Sequence, residues 1–318
     1  MQRHMRLCSF VFLFFGSVST LLASSGGIEK DKLKLYGGDL SVPYGMYTPH
    51  SVPIVADGLY LHGFGDRFSN HEKLFKTWAQ AGVRTIAFDF PDHGETCSNA
   101  LSSHLDFFTF EELSFIATQV MTKAGEKPWR PLLLAGWSTG GLLAIRMAQA
   151  TLGFHEFARH IHGLVLFAPA VRVPYLVGER GKVTNQTLTQ DTELWARDIE
   201  PGSPLCKPVF ASRILDSACR SWKSSFPQHI RTLVLAASDD DKYINTGGLK
   251  QWVDAQRAHK GSEITAVQYP QSMHEIDNEH DLFGGQQTRE LARDFIEAVA
   301  KELPFNVNSE SVLPRNLF

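Results

Sequence analysis

The sequence predicts an α/β fold: a doubly wound, mostly parallel sheet with helices on both faces and an inserted cap. Three observations predict it. Short apolar runs alternate with helical stretches along most of the 318 residues, the order that builds a parallel sheet. One run, Leu132-Leu133-Leu134-Ala135, passes through Gly136-Trp137-Ser138-Thr139-Gly140 into a small-residue helix, a Gly-x-Ser-x-Gly bend between strand and helix. Between two later strands lies the segment 171–227, far longer than an ordinary connection.

In chain order, 33–48 reads as a twisted hairpin turning at Gly37-Gly38-Asp39. An apolar strand over 53–61 runs into His62-Gly63-Phe64-Gly65-Asp66. A helix over 70–81 is capped by Asn70 and stopped by Gly82, and a strand follows over 83–88. The spacing then predicts a helix over 110–123, the strand and helix around Ser138, and a buried strand over 163–167. Strands over 231–236 and 264–269 flank a helix over 248–259. An amphipathic helix over 288–301 sets Leu291, Phe295, Ile296 and Val299 on one face.

The chain therefore divides into a leader (1–23), the first part of the core (24–170), the cap (171–227), the second part of the core (228–303) and a patternless tail (304–318). The cap carries Pro174, Pro201, Pro204 and Pro208 with Tyr175, Trp195 and Phe210. It is expected to cover the carboxyl ends of the strands, where sheets of this kind bind ligands. In the leader, Arg3, His4 and Arg6 precede the apolar run 7–15, with small residues near Ala23. That pattern reads as an export signal, with an uncleaved anchor as the alternative, and implies an exported protein. Removal of 1–23 leaves Cys97, Cys206 and Cys219. The odd number requires a free thiol or an intermolecular bond; Cys206 and Cys219 either pair or stay free. Asn185-Gln186-Thr187 is a glycosylation sequon if the source is eukaryotic.

Charged residues make up 20% of the chain, the formal net charge is −3, and no basic run is present. This argues against a nucleic-acid partner. The absence of HExxH, paired CxxC and dinucleotide glycine patterns leads us to expect no metal or organic cofactor.

A serine hydroxyl is a poor nucleophile unless it is held out of the backbone, beside a base and beside donors for an oxyanion. Ser138 at the apex of its bend meets the first condition, and the N–H of Thr139 is one donor. The glycine-flanked turn after the 53–61 strand can aim the N–H of Phe64 at the same point, with His62 structural. The base is expected late in the chain beyond a strand, which selects His274; His280 competes but lies in an acidic run. The orienting acid is sought in Asp239-Asp240-Asp241, with Asp241 chosen and Asp240 its rival. Phe64, Trp137 and the cap aromatics are expected to bind an apolar group of the substrate.

These stretches, together with Asp89 to Gly94 and Tyr269-Pro270 through His274-Glu275, resemble the α/β-hydrolases. More narrowly, they are similar to the monoglyceride lipase and lysophospholipase group, over nearly all of 50–300. The resemblance implies Ser138 as nucleophile, His274 as base, Asp241 as acid, and Phe64 with Thr139 as oxyanion donors. It also implies an acyl-enzyme formed from a small-molecule ester, a monoacylglycerol or lysophospholipid, and leaves open peripheral membrane contact through the cap. Ser238 stands where the group commonly has Gly, and the 89–96 loop lacks the Arg and second Gly often found there. A proline-iminopeptidase-like peptidase, a non-catalytic binding protein on the same fold, and an acyltransferase or thioesterase are the competing readings.

Overall fold

The computed structural model describes residues 28–96, 104–153, 155–173, 185–197, 208–259, 261–305, 307 and 316–317. β1 (Glu29–Leu35) and β2 (Leu40–Tyr47) form the expected antiparallel hairpin, turning through Gly37 and Gly38 at positive φ. β3 (Ala56–Leu61), β4 (Val83–Phe88), β5 (Leu132–Trp137), β6 (Ile161–Phe167), β7 (Arg231–Ala236) and β8 (Glu263–Gln268) are mutually parallel. β9 (Asn316–Leu317) adds antiparallel to β8. The order across the sheet is β1-β2-β4-β3-β5-β6-β7-β8-β9.

The helices are α1 (Glu72–Gln80), α2 (Phe110–Lys123), α3 (Thr139–Ala148), α4 (His155–Arg159), α5 (Asn185–Leu188), α6 (Pro208–Ser221), α7 (Thr246–Arg257) and α8 (Gly285–Ala300). Successive strand residues point to opposite faces, so each strand feeds two cores. Leu132, Leu134, Leu164 and Leu166 pack with α2, α3 and α7. Leu133, Ala135, Trp137, Val165 and Phe167 pack with α1 and α8.

Several boundaries differ from the sequence reading. β3 starts at Ala56 rather than at residue 53. Asn70 lies in a 3-10 turn (Phe68–His71) ahead of α1, and its side chain bonds Asp66 Oδ1 at 2.6 Å instead of capping the helix. Asn245 is the true cap of α7, accepting from Gly248 N at 2.6 Å. The tail is not patternless throughout: β9 extends the sheet and Phe305 meets Phe295 edge-on at 5.1 Å.

The segment 171–227 leaves the sheet after β6 and returns at β7. Within it, α6 is a helix that proline-rich composition hides; Pro208 is its first residue, where proline costs nothing. α6 buries Phe210, Ile214 and Ala218. Arg213 Nη1 holds the carbonyls of Asp106 and Phe108 at 2.8 and 2.5 Å, and Phe210 N donates to Asp106 Oδ1 at 3.0 Å. The sequon at Asn185 is overturned as an accessible site. Asn185 is 4% exposed, and its Nδ2 donates to the carbonyls of Trp195 and Arg197. Cys219 is an exposed cysteine on α6, whereas Cys97, Cys206 and the leader lie outside the described residues. No helix among the described residues is long and apolar enough to cross a membrane.

α2 begins with a reciprocal cap. Thr109 Oγ1 accepts from Glu112 N at 3.1 Å, and Glu112 Oε2 accepts from Thr109 N at 2.7 Å. Thr109→Ala is expected to lower unfolding free energy by about 1 kcal/mol, measured as an earlier midpoint in urea denaturation.

Candidate active site

β5 ends at Trp137, and Ser138 follows with φ 53° and ψ −116°, a conformation that side-chain-bearing residues avoid. Glycines on both sides permit it. A Cβ on Gly136 would lie 2.4 Å from Gly140 O, and one on Gly140 would lie 2.1 Å from Leu61 O. The main chain on either side of Ser138 is thus packed against other main chain. Ser138 N donates to Phe167 O at 2.9 Å, and Ser138 O accepts from Leu142 N and Ala170 N, each at 3.0 Å. These bonds hold the bend rigid and leave its side chain projecting.

Three side chains from distant segments meet at that point. His274 Nε2 is 3.0 Å from Ser138 Oγ, and His274 Nδ1 is 2.8 Å from Asp241 Oδ2. Asp241 Oδ1 accepts from Tyr243 N at 2.8 Å and Ile244 N at 3.2 Å, which fixes the carboxylate plane. Since an ionised carboxylate only accepts, Nδ1 carries the proton and the Nε2 lone pair faces the serine hydroxyl. Asp240 is exposed, and Asp239 is exposed and accepts from Gln268 Nε2 at 2.9 Å. Of the three adjacent aspartates, Asp241 is the one that faces the imidazole. His280 lies apart, with Nδ1 accepting from Leu282 N.

Thr139 opens α3, so its N–H has no acceptor within the helix. The N–H of Phe64 has no acceptor among the described residues. The turn carrying Phe64 is braced by two histidines. His62 donates from Nδ1 to Gly63 O at 2.7 Å and accepts at Nε2 from Phe90 N at 2.9 Å. His93 donates from Nδ1 to Pro91 O and accepts at Nε2 from Gly65 N, both at 2.9 Å. Burial pushes His62 down to about 3 and His93 down to about 4, so both stay neutral and keep these acceptors. The Phe64 ring stacks on Phe210 of α6 at 6.2 Å, and Phe210 on Phe110 at 6.0 Å.

Trp137 does not line a substrate site as the sequence suggests. Its position on β5 shares the face of Leu133 and Ala135, so the indole enters the α1/α8 core and is 1% exposed. There its Nε1 donates to His274 O at 2.9 Å, its ring lies 5.2 Å from the His274 ring, and Gly63 is packed so closely that a Cβ would sit 2.4 Å from it. It supports both the histidine loop and the Phe64 turn from below.

A buried ionic cluster behind Trp137 has no counterpart in the sequence reading. His71 lies between Asp66 and Asp277, with Nε2 2.5 Å from Asp66 Oδ2 and Nδ1 2.6 Å from Asp277 Oδ2. Beside it, Glu275 pairs with Arg197 and accepts from Asn278 Nδ2 at 2.7 Å. Burial alone would lower the His71 pKa, but Asp277 and Asp66 outweigh it and hold the ring up to about 10. Burial likewise opposes ionisation of Asp66, and the His71 charge overrides it, keeping that carboxyl below its ordinary range. Asp66 and Glu275 each follow a recognised motif directly, which was the only available signal; nothing in the spacing ties His71 to a residue 206 positions away. Ligand atoms of Asp66, His71 and Glu275 lie within 4.8 Å of one another. Both His71 nitrogens already face carboxylates and Arg197 occupies Glu275, so this donor set suits an ion-pair network better than a metal.

Residues 58–281, that is 224 of the 318, match the hydrolase family described as serine aminopeptidase, S33. The chain belongs to that family. The S33 match runs from β3 to beyond His274 and includes Ser138 and Asp241. A Mycoplasma pneumoniae protein whose name places it among candidate esterases/lipases is 30% identical over 124 residues. That alignment covers 38% of this chain and 41% of the relative, so the chain spans about two fifths of the length of the curated relative it matches. Among solved structures, a thermostable carboxyl esterase from Bacillus coagulans in complex with glycerol superposes with a TM-score of 0.68 at 17% identity, covering 86% of this chain and 99% of that one. A soluble variant of monoglyceride lipase from Saccharomyces cerevisiae gives 0.66 at 17% identity, over 86% and 96%. The Paleococcus ferrophilus monoacylglycerol lipase gives 0.60 at 18%, over 86% and 99%. This S33 family member thus has the α/β-hydrolase fold.

The buried histidines of this S33 protein make its stability depend on pH in two directions. His62 and His93 bind protons less readily folded than unfolded, where the value is about 6.5, so stability falls as pH drops through 6.5 towards 4. His71 binds its proton more tightly when folded, so its contribution is complete below 6.5 and is lost as pH rises towards 10. Urea midpoints measured from pH 4 to 10 are expected to peak near neutrality and decline on both sides.

Proposed function

We propose that the protein is a serine ester hydrolase acting through an acyl-enzyme, with monoacyl lipids such as monoacylglycerols or lysophospholipids as its substrate class. The observation that carries this is His274, hydrogen-bonded at Nε2 to Ser138 Oγ and at Nδ1 to Asp241. In the first half-reaction His274 Nε2 removes the Ser138 proton as Oγ attacks the ester carbonyl carbon. The oxyanion takes hydrogen bonds from the N–H groups of Phe64 and Thr139. Asp241 holds the imidazole tautomer and stabilises the imidazolium. The tetrahedral species collapses, the C–O bond to the alcohol breaks, and His274 passes its proton to the departing oxygen. Water, deprotonated by the same nitrogen, then releases the acid and restores Ser138.

The acyl preference is supported by the aromatic stack Phe64–Phe210–Phe110, which joins the oxyanion turn to α6, and by the named activities of the structural neighbours. Exposed Phe107, Val209 and Leu215, on α6 and the turn beneath it, supply apolar surface for peripheral contact with a lipid phase. The leader pattern supports export. The family's aminopeptidase description keeps a peptidase as the second reading. Against it, Asp191, an acidic cap residue suited to a substrate amine, already accepts from Lys73 at 2.9 Å.

The experiment is a panel of short esters, monoacylglycerols, lysophospholipids and prolyl peptides given to the wild type and to Ser138→Ala. Release of fatty acid is expected, with loss of about 10⁴-fold or more in Ser138→Ala; wild-type turnover that survives the substitution overturns the mechanism. Asp241→Asn is expected to lower kcat by about 10⁴, with Asp240→Asn close to wild type.

A further inference from the structure

Both nitrogens of His71 face carboxylate oxygens at 2.5 and 2.6 Å, inside a pocket closed to solvent. An imidazole lone pair aimed at either oxygen would be repelled, so both nitrogens carry hydrogen and the ring is a cation. Its partners lie at two consequential places. Asp66 is two residues beyond Phe64 in the oxyanion turn, and Asp277 is three residues beyond His274. A second tie joins the same segments, with Asn278 Nδ2 donating to Asn70 O at 3.1 Å. Asn70 in turn holds the other oxygen of Asp66. Tyr60 OH, on the strand that leads into the turn, is 3.0 Å from Nδ1. The Trp137 ring fills the space between, 6.0 Å from the His71 ring and 5.2 Å from that of His274.

We propose that His71 is a positioning residue for catalysis: a buried imidazolium that ties the oxyanion turn, through Asp66, to the acid–base loop, through Asp277. The proposal rests on the serine hydrolase reading above, because it concerns the groups assigned there. Oxyanion donors and base must hold one geometry through the whole reaction, and misplacement by about 1 Å costs about 100-fold. The two segments come from opposite ends of the fold's sequence, and His71 is the charged link between them. The neighbouring charges are Glu275 and Arg197, which pair with each other, and the His71 ring is buried, with the rings of Tyr60 and Phe75 at 4.7 and 6.4 Å between centres.

The test uses the full chain as wild type, His71→Gln and Asp277→Asn. Three quantities are read: kcat and KM on a soluble short-chain ester, the second-order rate of phosphonylation by a fluorophosphonate, and the thermal midpoint. Asp277→Asn keeps the side-chain shape and breaks only the charged link to the loop. It is expected to remain folded, with kcat lower by about 10-fold and KM within about threefold. Phosphonylation should slow by the same factor as kcat, because the probe uses the same base and donors. His71→Gln is expected to lose more, and if it fails to fold, Asp277→Asn decides. A folded Asp277→Asn with wild-type kcat and phosphonylation overturns the proposal. An unfolded Asp277→Asn overturns it too, since it assigns the link to stability rather than to catalytic geometry. Failure of the wild type to be phosphonylated at Ser138 sinks the hydrolase reading itself, a result distinct from either.

Discussion

The backbone at Ser138 is the constraint on which the rest of the structure depends. A side-chain-bearing residue held at φ 53° and ψ −116° costs about 1–3 kcal/mol and persists only where its surroundings leave no alternative. Here those surroundings are main chain on every side: Gly140 against the carbonyls of Leu61 and His62, Gly136 against Gly140, and Phe167 and Ala170 bonded to Ser138 itself. Relaxation of the bend would require β3, β5 and β6 to part. The strain is thereby spread over the centre of the sheet, and the hydroxyl acquires a fixed address.

That address sets a distance problem for His274. Ser138 follows β5, and the loop carrying His274 leaves β8, three strands away in the sheet order. With strands about 4.8 Å apart, the loop must return about 14 Å over β6 and β7 to reach the hydroxyl. A free loop would spend little time there. This one is held along its length: Trp137 Nε1 donates to His274 O, Leu188 O accepts from Glu275 N, and the Glu279 carboxylate accepts from the N–H groups of Met273 and Gln190, each at 2.6 Å. Asp241, leaving β7, has less far to go and is held by two amides of its own turn. The number of restraints on each group follows the distance it must cover.

Legibility in the sequence follows the same division between local and distant causes. The bend at Ser138, the hairpin and most strands could be read because glycine placement and apolar runs act within a few residues. His274 and the Asp239-Asp240-Asp241 run could be chosen because a histidine and an acid are expected in the loops after the late strands. Asp241 and its rival Asp240 differ by one residue that no strand pattern separates. Trp137 was misjudged because a period of two states only that Ser138's neighbour shares a face with Leu133 and Ala135; which helices cover that face is a tertiary fact. Asn70 has the composition of a cap, yet Asp66 four residues earlier competes for its amide and wins. The His71 cluster joins residues far apart in sequence, and no local pattern encodes such a contact.

Burial makes four histidines of one chain into different chemical groups. His62 and His93 each accept a backbone N–H, which only a neutral ring can do, and desolvation keeps them so. His71 meets two carboxylates and must be charged. His274 meets one carboxylate and one hydroxyl, a different pair of neighbours from the other three. The segment 185–197 obeys the same logic. Residues 185–197 are bound to the histidine loop through Arg197 to Glu275 and Thr189 Oγ1 to Asn278 O, and to the Asp241 turn through Thr187 Oγ1 with Tyr243 OH, whose ring lies 4.9 Å from that of His274. Withdrawing Arg197 with this segment would leave the buried Glu275 without its cation, and an unpaired buried carboxylate is expensive. The segment 185–197 is therefore held against the site by buried charge as well as by hydrogen bonds.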